Sequence, residues 1–549
     1  MPIRSLSAFL VLVLAAGASA QVSSFPTPAY FRETFAQPVP RVELKDPLRL
    51  KDFVVNGSLE LSLRSYLELV MANNTDIQIQ LLAMETPRNA IERALGTWDP
   101  VATAQFSTTR STSPSVTALS GANTVETLNQ PLTVNVTQTL PTGAQYTVGF
   151  SADKNTTNSA FATLNPALSS ALAFNFSQPL LRNRGYYVNH LSLTMARSRY
   201  RIAGLSLRNQ LLQLLNAAEN AYWDVIQARE SLRVAESALK LAEDSLALSE
   251  KEFQLGALAQ LDLYNPQQQR ASADLAVSQS RFALAQTENA LRKQMGADLD
   301  PDIRTLPIVL TETVDTPVQM SILDPEEAVQ KAMALRPDLK AAVQSLDVDD
   351  MAIQQTRNAL LPNLSFNASY QTQGIGGIFY PRSVDVLTGA PIIVQPVPGG
   401  FGDALSQMFG LGFPVYTFGL NLQLPIRSHS AAADLADAVV QKRRDALTVR
   451  NTQQQVRLSM LNALSNLESS RKSVELAQVA ADFARKYLDA ENQKYQLGID
   501  PMQFVLQAQN ALTQADSSVV QSQVGLRRNM LNLLTQTGEL LDERGIIVP

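Results

Sequence analysis

His190 and His429 are the only histidines in the chain, and it has no cysteine. Thiolate zinc sites, iron–sulfur clusters, disulfides, catalytic thiols and lipidated cysteines are therefore absent, and two histidines cannot build a multi-histidine metal centre. There is no phosphate-binding glycine loop followed by Lys, no metal-ligand helix pair and no Ser–His–acid set. Neither enzymatic chemistry nor a cofactor is expected. The 45 Lys and Arg against 50 Asp and Glu give a net charge of −5, which argues against a polyanion binder. What remains is non-covalent chemistry. Asp262 is a carboxylate at a helix N-terminus, Tyr495 is an aromatic at the end of an apolar seam, and glycines follow in Leu255-Gly256-Ala257 and Leu497-Gly498-Ile499.

These residues belong to a pattern written twice. Phe253-Gln254-Leu255-Gly256 returns as Tyr495-Gln496-Leu497-Gly498, and Gln294-Met295-Gly296 as Gln536-Thr537-Gly538, both 242 residues further on. Earlier in each half the offset is 262: Asn74-Thr75-Asp76-Ile77 answers Arg336-Pro337-Asp338-Leu339, and Pro100 answers Pro362. The first copy thus carries about 20 more residues around 101–186. A unit this long, used twice, is a duplication and not a solenoid of about 20–50-residue repeats. The expected organisation is a first repeat over 58–300 and a second over 324–538. A Pro-rich linker at 21–57, a second linker at 301–323 and a tail at 539–549 flank them.

Each copy opens with helix, Leu59 to Asn73 in the first and, in the second, a helix capped by Asp324-Pro325-Glu326-Glu327. Period-two segments follow at about 101–181, 363–371 and 416–425. Leu364, Phe366, Ala368 and Tyr370 alternate with Ser365, Asn367 and Ser369, and Phe418, Leu420 and Leu422 with Gly419, Asn421 and Gln423. Strands that are apolar on one face and uncharged polar on the other suit a membrane β-barrel with a wet lumen. Alternation from Leu132 to Leu140 and from Tyr146 to Ala152 adds a hairpin to copy one. Each copy ends in a long helical hairpin, about 187–296 and 430–537. Tyr187 to Leu255 holds one glycine and no proline, about 100 Å of helix at roughly 1.5 Å per residue. Ala221, Val225, Ala228, Leu232, Ala235, Leu239, Ala242, Leu246, Ser249 and Phe253 form a heptad seam, and Ala463 to Tyr495 repeats it. His190 and His429 read as polar residues at the junction of strands and helix.

Arg4, an apolar stretch from Ala8 to Ala16 and Ala18-Ser19-Ala20 read as an export signal over 1–20, with the mature chain beginning at Gln21.

In their order, Pro337-Asp338-Leu339, Leu361-Pro362-Asn363, Leu424-Pro425-Ile426 and the two hairpin tips resemble the TolC-type outer-membrane efflux proteins. The resemblance implies a mainly α fold in which internally duplicated antiparallel hairpins form an α-barrel tunnel joined to a membrane β-barrel in a homotrimer. It implies a passive exit duct of a tripartite efflux or type I secretion system, with a periplasmic adaptor, an inner-membrane pump and outer-membrane lipid as partners and no nucleic acid. The family norm is four strands per protomer, while the added alternation points to six. Asp262 and Tyr495 match members of the family's closure network and Asp500 the place of its arginine. Phe504 and Gln507 stand where the best-known member has constricting aspartates, so that acidic ring is absent. Leu255, Gly256, Ala257, Leu497, Gly498 and Ile499 match adaptor-docking tips. The competing reading is a non-transporting periplasmic or surface coiled-coil scaffold.

Overall fold

A computed structural model describes residues 50–115, 123–159, 162–313, 324–384, 391–393 and 395–546. The export signal, most of the first Pro-rich linker and residues 314–323 of the second lie outside the described residues. In chain order the elements are β1 (Val54–Val55), β2 (Ser58–Leu61), α1 (Leu63–Asn73), α2 (Thr75–Ala83), α3 (Glu85–Leu95), β3 (Val101–Phe106), β4 (Thr109–Pro114), β5 (Thr124–Thr139), β6 (Gln145–Thr157), β7 (Leu164–Pro179), α4 (Tyr186–Gln254), α5 (Tyr264–Gln294), β8 (Ile308–Leu310), α6 (Pro325–Leu335), α7 (Pro337–Ala359), β9 (Asn363–Phe379), β10 (Arg382–Val384), β11 (Pro391–Ile393), α8 (Phe401–Phe409), β12 (Phe413–Gln423), α9 (His429–Gln496), α10 (Met502–Thr537) and α11 (Leu540–Glu543). No described helix is long and apolar enough to cross a membrane.

Two expectations shift. Leu59 to Leu61 is strand, not helix: β2 pairs with β1 and, in parallel, with β8. The helix starts only after Ser62, whose hydroxyl accepts the Ser65 N–H. The second segment is likewise more than a linker, because Ile308–Leu310 is drawn as a strand into this small sheet, where Ile308 and Leu310 bury. Leu50, Leu59, Leu61, Tyr66, Leu211, Leu215, Tyr222, Leu291 and Leu531 form the main core around it.

The large sheet is antiparallel in the order β12-β9-β7-β6-β5-β3, with β4 also on β5. β3 and β4 are one strand in two pieces. Phe106 pairs with Leu132 and Thr109 with Asn129, so the register runs on unbroken, and the gap lies opposite Pro131, which has no N–H to donate. The sheet therefore has six strands, four of them from the first half. Cross-strand pairs Phe418–Ala368, Leu420–Phe366, Phe174–Tyr370, Val148–Phe174 and Val136–Val148 place apolar residues on one face. The reverse face carries Asn421–Ser365, Asn175–Ser369, Thr147–Asn175 and Asn135–Gly149. Both outer strands, β3/β4 and β12, leave one edge unpaired among the described residues.

The helices pack side by side. Near the hairpin tips the order is α5, α4, α10, α9; nearer the sheet it is α3, α4, α7, α9. Only α4 and α9 run the full length, and the shorter helices replace one another beside them. α4 has two seams. Val225, Ala235, Ala242 and Ser249 lie on the predicted one, while Val234 and Ser245 lie on a second, where Gln509 of α10 donates to Ser245 Oγ at 2.8 Å. α9 buries its predicted seam and, on the same line ahead of it, Val449, Val456 and Met460, while Leu476, Val479 and Phe483 on its free flank stay exposed, as do Leu275 and Phe282 of α5.

Motifs repeated in the sequence meet in space. Asn74 Nδ2 donates to the carbonyl and side chain of Gln294 at 3.0 and 2.9 Å. Arg336 Nη1 donates to Gln536 Oε1 at 2.7 Å. Each half thus ties its opening helix to the end of its hairpin.

A half-buried acidic pair connects α7 to α9. Asp349, 8% exposed, faces Asp445, and Lys442 is engaged by Asp350 at 2.5 Å. Burial first, then hydrogen bonding to Asp445, pushes the Asp349 carboxyl up to about 6. The folded state therefore holds its proton more tightly than the unfolded chain. The contribution of this one group to stability is therefore greatest below about pH 4 and is lost as pH rises through 6. Asp349→Asn is expected to stabilise the fold by on the order of 2 kcal/mol at pH 7.5 and by little at pH 4, measured by thermal denaturation at both pH values.

Candidate functional site

Both hairpins reverse with the same geometry. Gly256 and Gly498 have φ of 75° and 71°, the left-handed region that terminates a helix cheaply only with glycine. Beyond them Ala257 N–H donates to Glu252 O and Ile499 N–H to Lys494 O, each at 2.9 Å, so both ends close by the Schellman pattern. Leu255 is 84% exposed and Leu497 75%. Ile499 projects beside them, so each tip presents bare apolar side chains and unhindered backbone.

Just behind the tips the two hairpins are joined. Tyr495 OH of α9 donates to Glu252 Oε2 of α4. Burial, reinforced by the neighbouring Glu252 carboxylate, pushes the phenol well above its ordinary value, so it remains a donor at every physiological pH. Beneath this bond lies an apolar cluster of Leu488, Met502, Val505, Leu506, Ala508 and Leu512, with Tyr495 and Leu241 against it. Asp500 pairs with Lys494 at 3.2 Å, and Lys494 also reaches Glu491 at 2.7 Å. These ions hold the turn of the second hairpin to its own helix and do not bridge the two hairpins.

The remaining candidates divide. Asp262 lies in a short 3-10 turn, Gln260–Leu263, where no side-chain hydrogen bond or ion pair engages its carboxylate among the described residues. Phe504 and Gln507 are exposed on one face of α10, opposite the buried Val505 and Ala508. The structure brings Tyr495 into an inter-hairpin bond, but with Glu252, which the sequence pattern presents as one more solvated helix charge. The available signal was positional, since Glu252 is the residue beside Phe253, the counterpart of Tyr495.

At the other end, the polar face of the sheet is lined by Gln145, Thr147, Asn175, Ser177, Asn367 and Ser369. Where strands meet α4, the His190 ring stacks on Trp98 and Tyr186 with centroids 4.4 and 3.4 Å away, and its Nδ1 donates to the Tyr186 carbonyl at 2.9 Å. No group of three or more metal-ligating side chains occurs among the described residues.

Residues 328–539 match the family model of the outer membrane efflux protein. The outer membrane efflux protein BepC of Brucella suis biovar 1 (strain 1330) is 23% identical over 344 residues, covering 62% of this chain and 67% of BepC. Two solved structures share the fold over nearly their whole length. The transmembrane channel CusC is 17% identical with a TM-score of 0.61, covering 94% of this chain and 99% of its own. The outer membrane channel CmeC of Campylobacter jejuni is 15% identical with a TM-score of 0.59, covering 92% and 94%. With the repeated tips, the two-faced sheet and the long paired helices, these likenesses show that the chain has the fold of the outer-membrane channels and that residues 328–539 are similar to the outer membrane efflux protein family.

Proposed function

We propose that three copies of this internally duplicated chain close into a homotrimer. Its sheets would join as one membrane β-barrel and its helices as one α-barrel tunnel in the periplasm. The observation that carries the reading is that, among the described residues, sheet and helical wall both end in unfilled edges: unpaired backbone on β3/β4 and β12, and bare apolar flanks on α5 and α9. Dimensions support it. Three sets of six strands, spaced about 4.8 Å and tilted about 40°, make a circle about 36 Å across. Three sets of four helices at roughly 9–10 Å make one of about 34–38 Å. The two rings match, whereas four strands per protomer would give only about 24 Å.

The apolar face then meets outer-membrane lipid and the uncharged polar face lines a water column, which passes mixed solutes without a strong fixed charge. The protein acts as a passive exit duct of a tripartite efflux or type I secretion system and carries out no catalytic step. Energy comes from an inner-membrane pump, coupled through a periplasmic adaptor that docks on Leu255, Gly256, Ala257, Leu497, Gly498 and Ile499. The Tyr495–Glu252 bond serves as the clasp that keeps the two hairpins of a protomer together, with Asp262, Asp500, Phe504 and Gln507 around the constriction.

Membrane fractionation, native mass measurement and planar-bilayer recording of the full-length protein test this. The expected result is an outer-membrane trimer that conducts ions. A monomer released with the soluble periplasm, carrying no current, would instead mean the coiled-coil scaffold.

A further inference from the structure

α8 sits on the apolar face of the sheet, the face that also carries Leu364, Phe366 and Tyr370 of β9. The Thr372 hydroxyl donates to the Met408 carbonyl at 2.8 Å, and the Ile375 N–H donates to Gln407 Oε1 at 3.0 Å. The helix lies so close that a Cβ on Gly374 would stand 1.8 Å from the Ala404 carbonyl oxygen, and one on Gly376 2.1 Å from that of Gly400. Ala404 and Met408 are fully buried in this contact, as is Ser170 of β7 beneath it.

The sheet needs a cover at this place. On β9 the apolar positions run from Leu364 to Tyr370, about 20 Å along the strand and about 15 Å across a bilayer at 40–45° of tilt. A barrel's apolar band is about 25 Å tall. The next positions on the same face, Thr372, Gly374 and Gly376, offer no large apolar side chain. α8 covers them for about another 13 Å of strand, or about 10 Å of depth, which makes up the shortfall.

The helix is built for that role. At about 100° per residue, Ala404 and Met408 face the sheet, and Phe401, Leu405 and Phe409 continue the apolar arc beyond it. Phe401 is 37% exposed and Phe409 68%. The only charge from residue 395 to 413 is Asp403, in the first turn, farthest from the Leu364 end, where its carboxylate accepts the Gly400 N–H at 2.7 Å.

We infer that α8 is part of the lipid-contacting surface, a helix laid on the outside of the sheet whose Phe401–Leu405–Phe409 flank meets hydrocarbon at the outer end of the apolar band on β7 and β9. The inference rests on the barrel reading above, and one experiment separates the two. Because the chain lacks cysteine, a single nitroxide can be placed by Phe409→Cys, Phe401→Cys, Leu420→Cys or Asn421→Cys in the full-length protein. Each variant is reconstituted in phosphatidylethanolamine–phosphatidylglycerol vesicles after recovery from the membrane fraction confirms folding. Collision with dissolved oxygen, which concentrates in hydrocarbon, is compared with collision with a water-soluble nickel chelate. The expected oxygen-to-nickel ratio at 409 and 401 is several-fold above that at 421 and similar to that at 420. Nickel-dominated collision at both 409 and 401, with 420 still oxygen-dominated, overturns the assignment of α8 alone. Nickel-dominated collision at 420 overturns the barrel itself, and α8 with it.

Discussion

Leu420→Arg is expected to abolish recovery of the protein in the outer membrane, while Asn421→Arg, one residue along the same strand, leaves assembly intact and alters ion selectivity. Leu420 pairs with Phe366 on the apolar face, and Asn421 with Ser365 on the polar face. A basic side chain at mid-depth on the lipid side costs about 2–4 kcal/mol. In a trimer the cost recurs three times in one ring, so the assembly loses roughly 6–12 kcal/mol, comparable with the net stability of a whole domain. On the polar face the same guanidinium stays in water, and its main effect is a ring of positive charge that disfavours cations. Membrane fractionation reads the first effect, and reversal potential in a salt gradient reads the second. Equal tolerance of both substitutions would mean that the two faces do not separate lipid from water.

The second large effect is expected at the tips. Tyr495→Phe removes the donor to Glu252 and leaves the apolar cluster of Leu488, Val505 and Leu512 in place. A hydrogen bond to a charged acceptor contributes about 1.5–3 kcal/mol, toward the lower figure at a half-buried site. Losing about 1.4 kcal/mol shifts the balance between clasped and parted hairpins tenfold in each protomer. Single-channel records should show a markedly larger open fraction for Tyr495→Phe. Glu252→Gln should have a smaller effect, because a neutral acceptor remains. Asp262→Ala tests the residue that the family pattern nominates and whose carboxylate has no bonded partner among the described residues; unchanged currents there, with altered currents at Tyr495, would assign the clasp to Glu252. Unchanged currents in both Tyr495→Phe and Glu252→Gln would remove the bond from any role in closure.

Legibility in the sequence followed the strength of the periodic signal. The seam from Ala463 to Tyr495 was readable because the other buried residues of α9, Val449, Val456 and Met460, continue the same line, so a single stripe carries the pattern. The second seam of α4 was not, because its contact with α10 includes the polar pair Ser245 and Gln509, which the heptad template treats as surface. Strands β5, β6, β7, β9 and β12 announced themselves by alternation, whereas Thr109–Pro114 in β4 has no apolar face and becomes strand only by continuing the register of β3 on β5. α8 went unanticipated because nine residues are too short a run for a periodic signal, and Gly374 and Gly376 of β9, which let it approach the sheet, do not by themselves announce a helix. The tip glycines were legible as helix stops, and the partner of Tyr495 was not, since a contact between two hairpins more than two hundred residues apart leaves no local trace.

The ties between Asn74 and Gln294 and between Arg336 and Gln536 join residues separated by 220 and 200 positions. Each doubling of a closed loop adds only about 0.6 kcal/mol of entropy cost, so loops this long are thermodynamically tolerable. Kinetics is another matter, because contacts so remote in sequence form slowly. Neither half can be sealed until its final turn has been synthesised, and until then a helix about 100 Å long waits with its stripe bare. Each half therefore depends on its last residues to cover a stripe laid down about two hundred residues earlier.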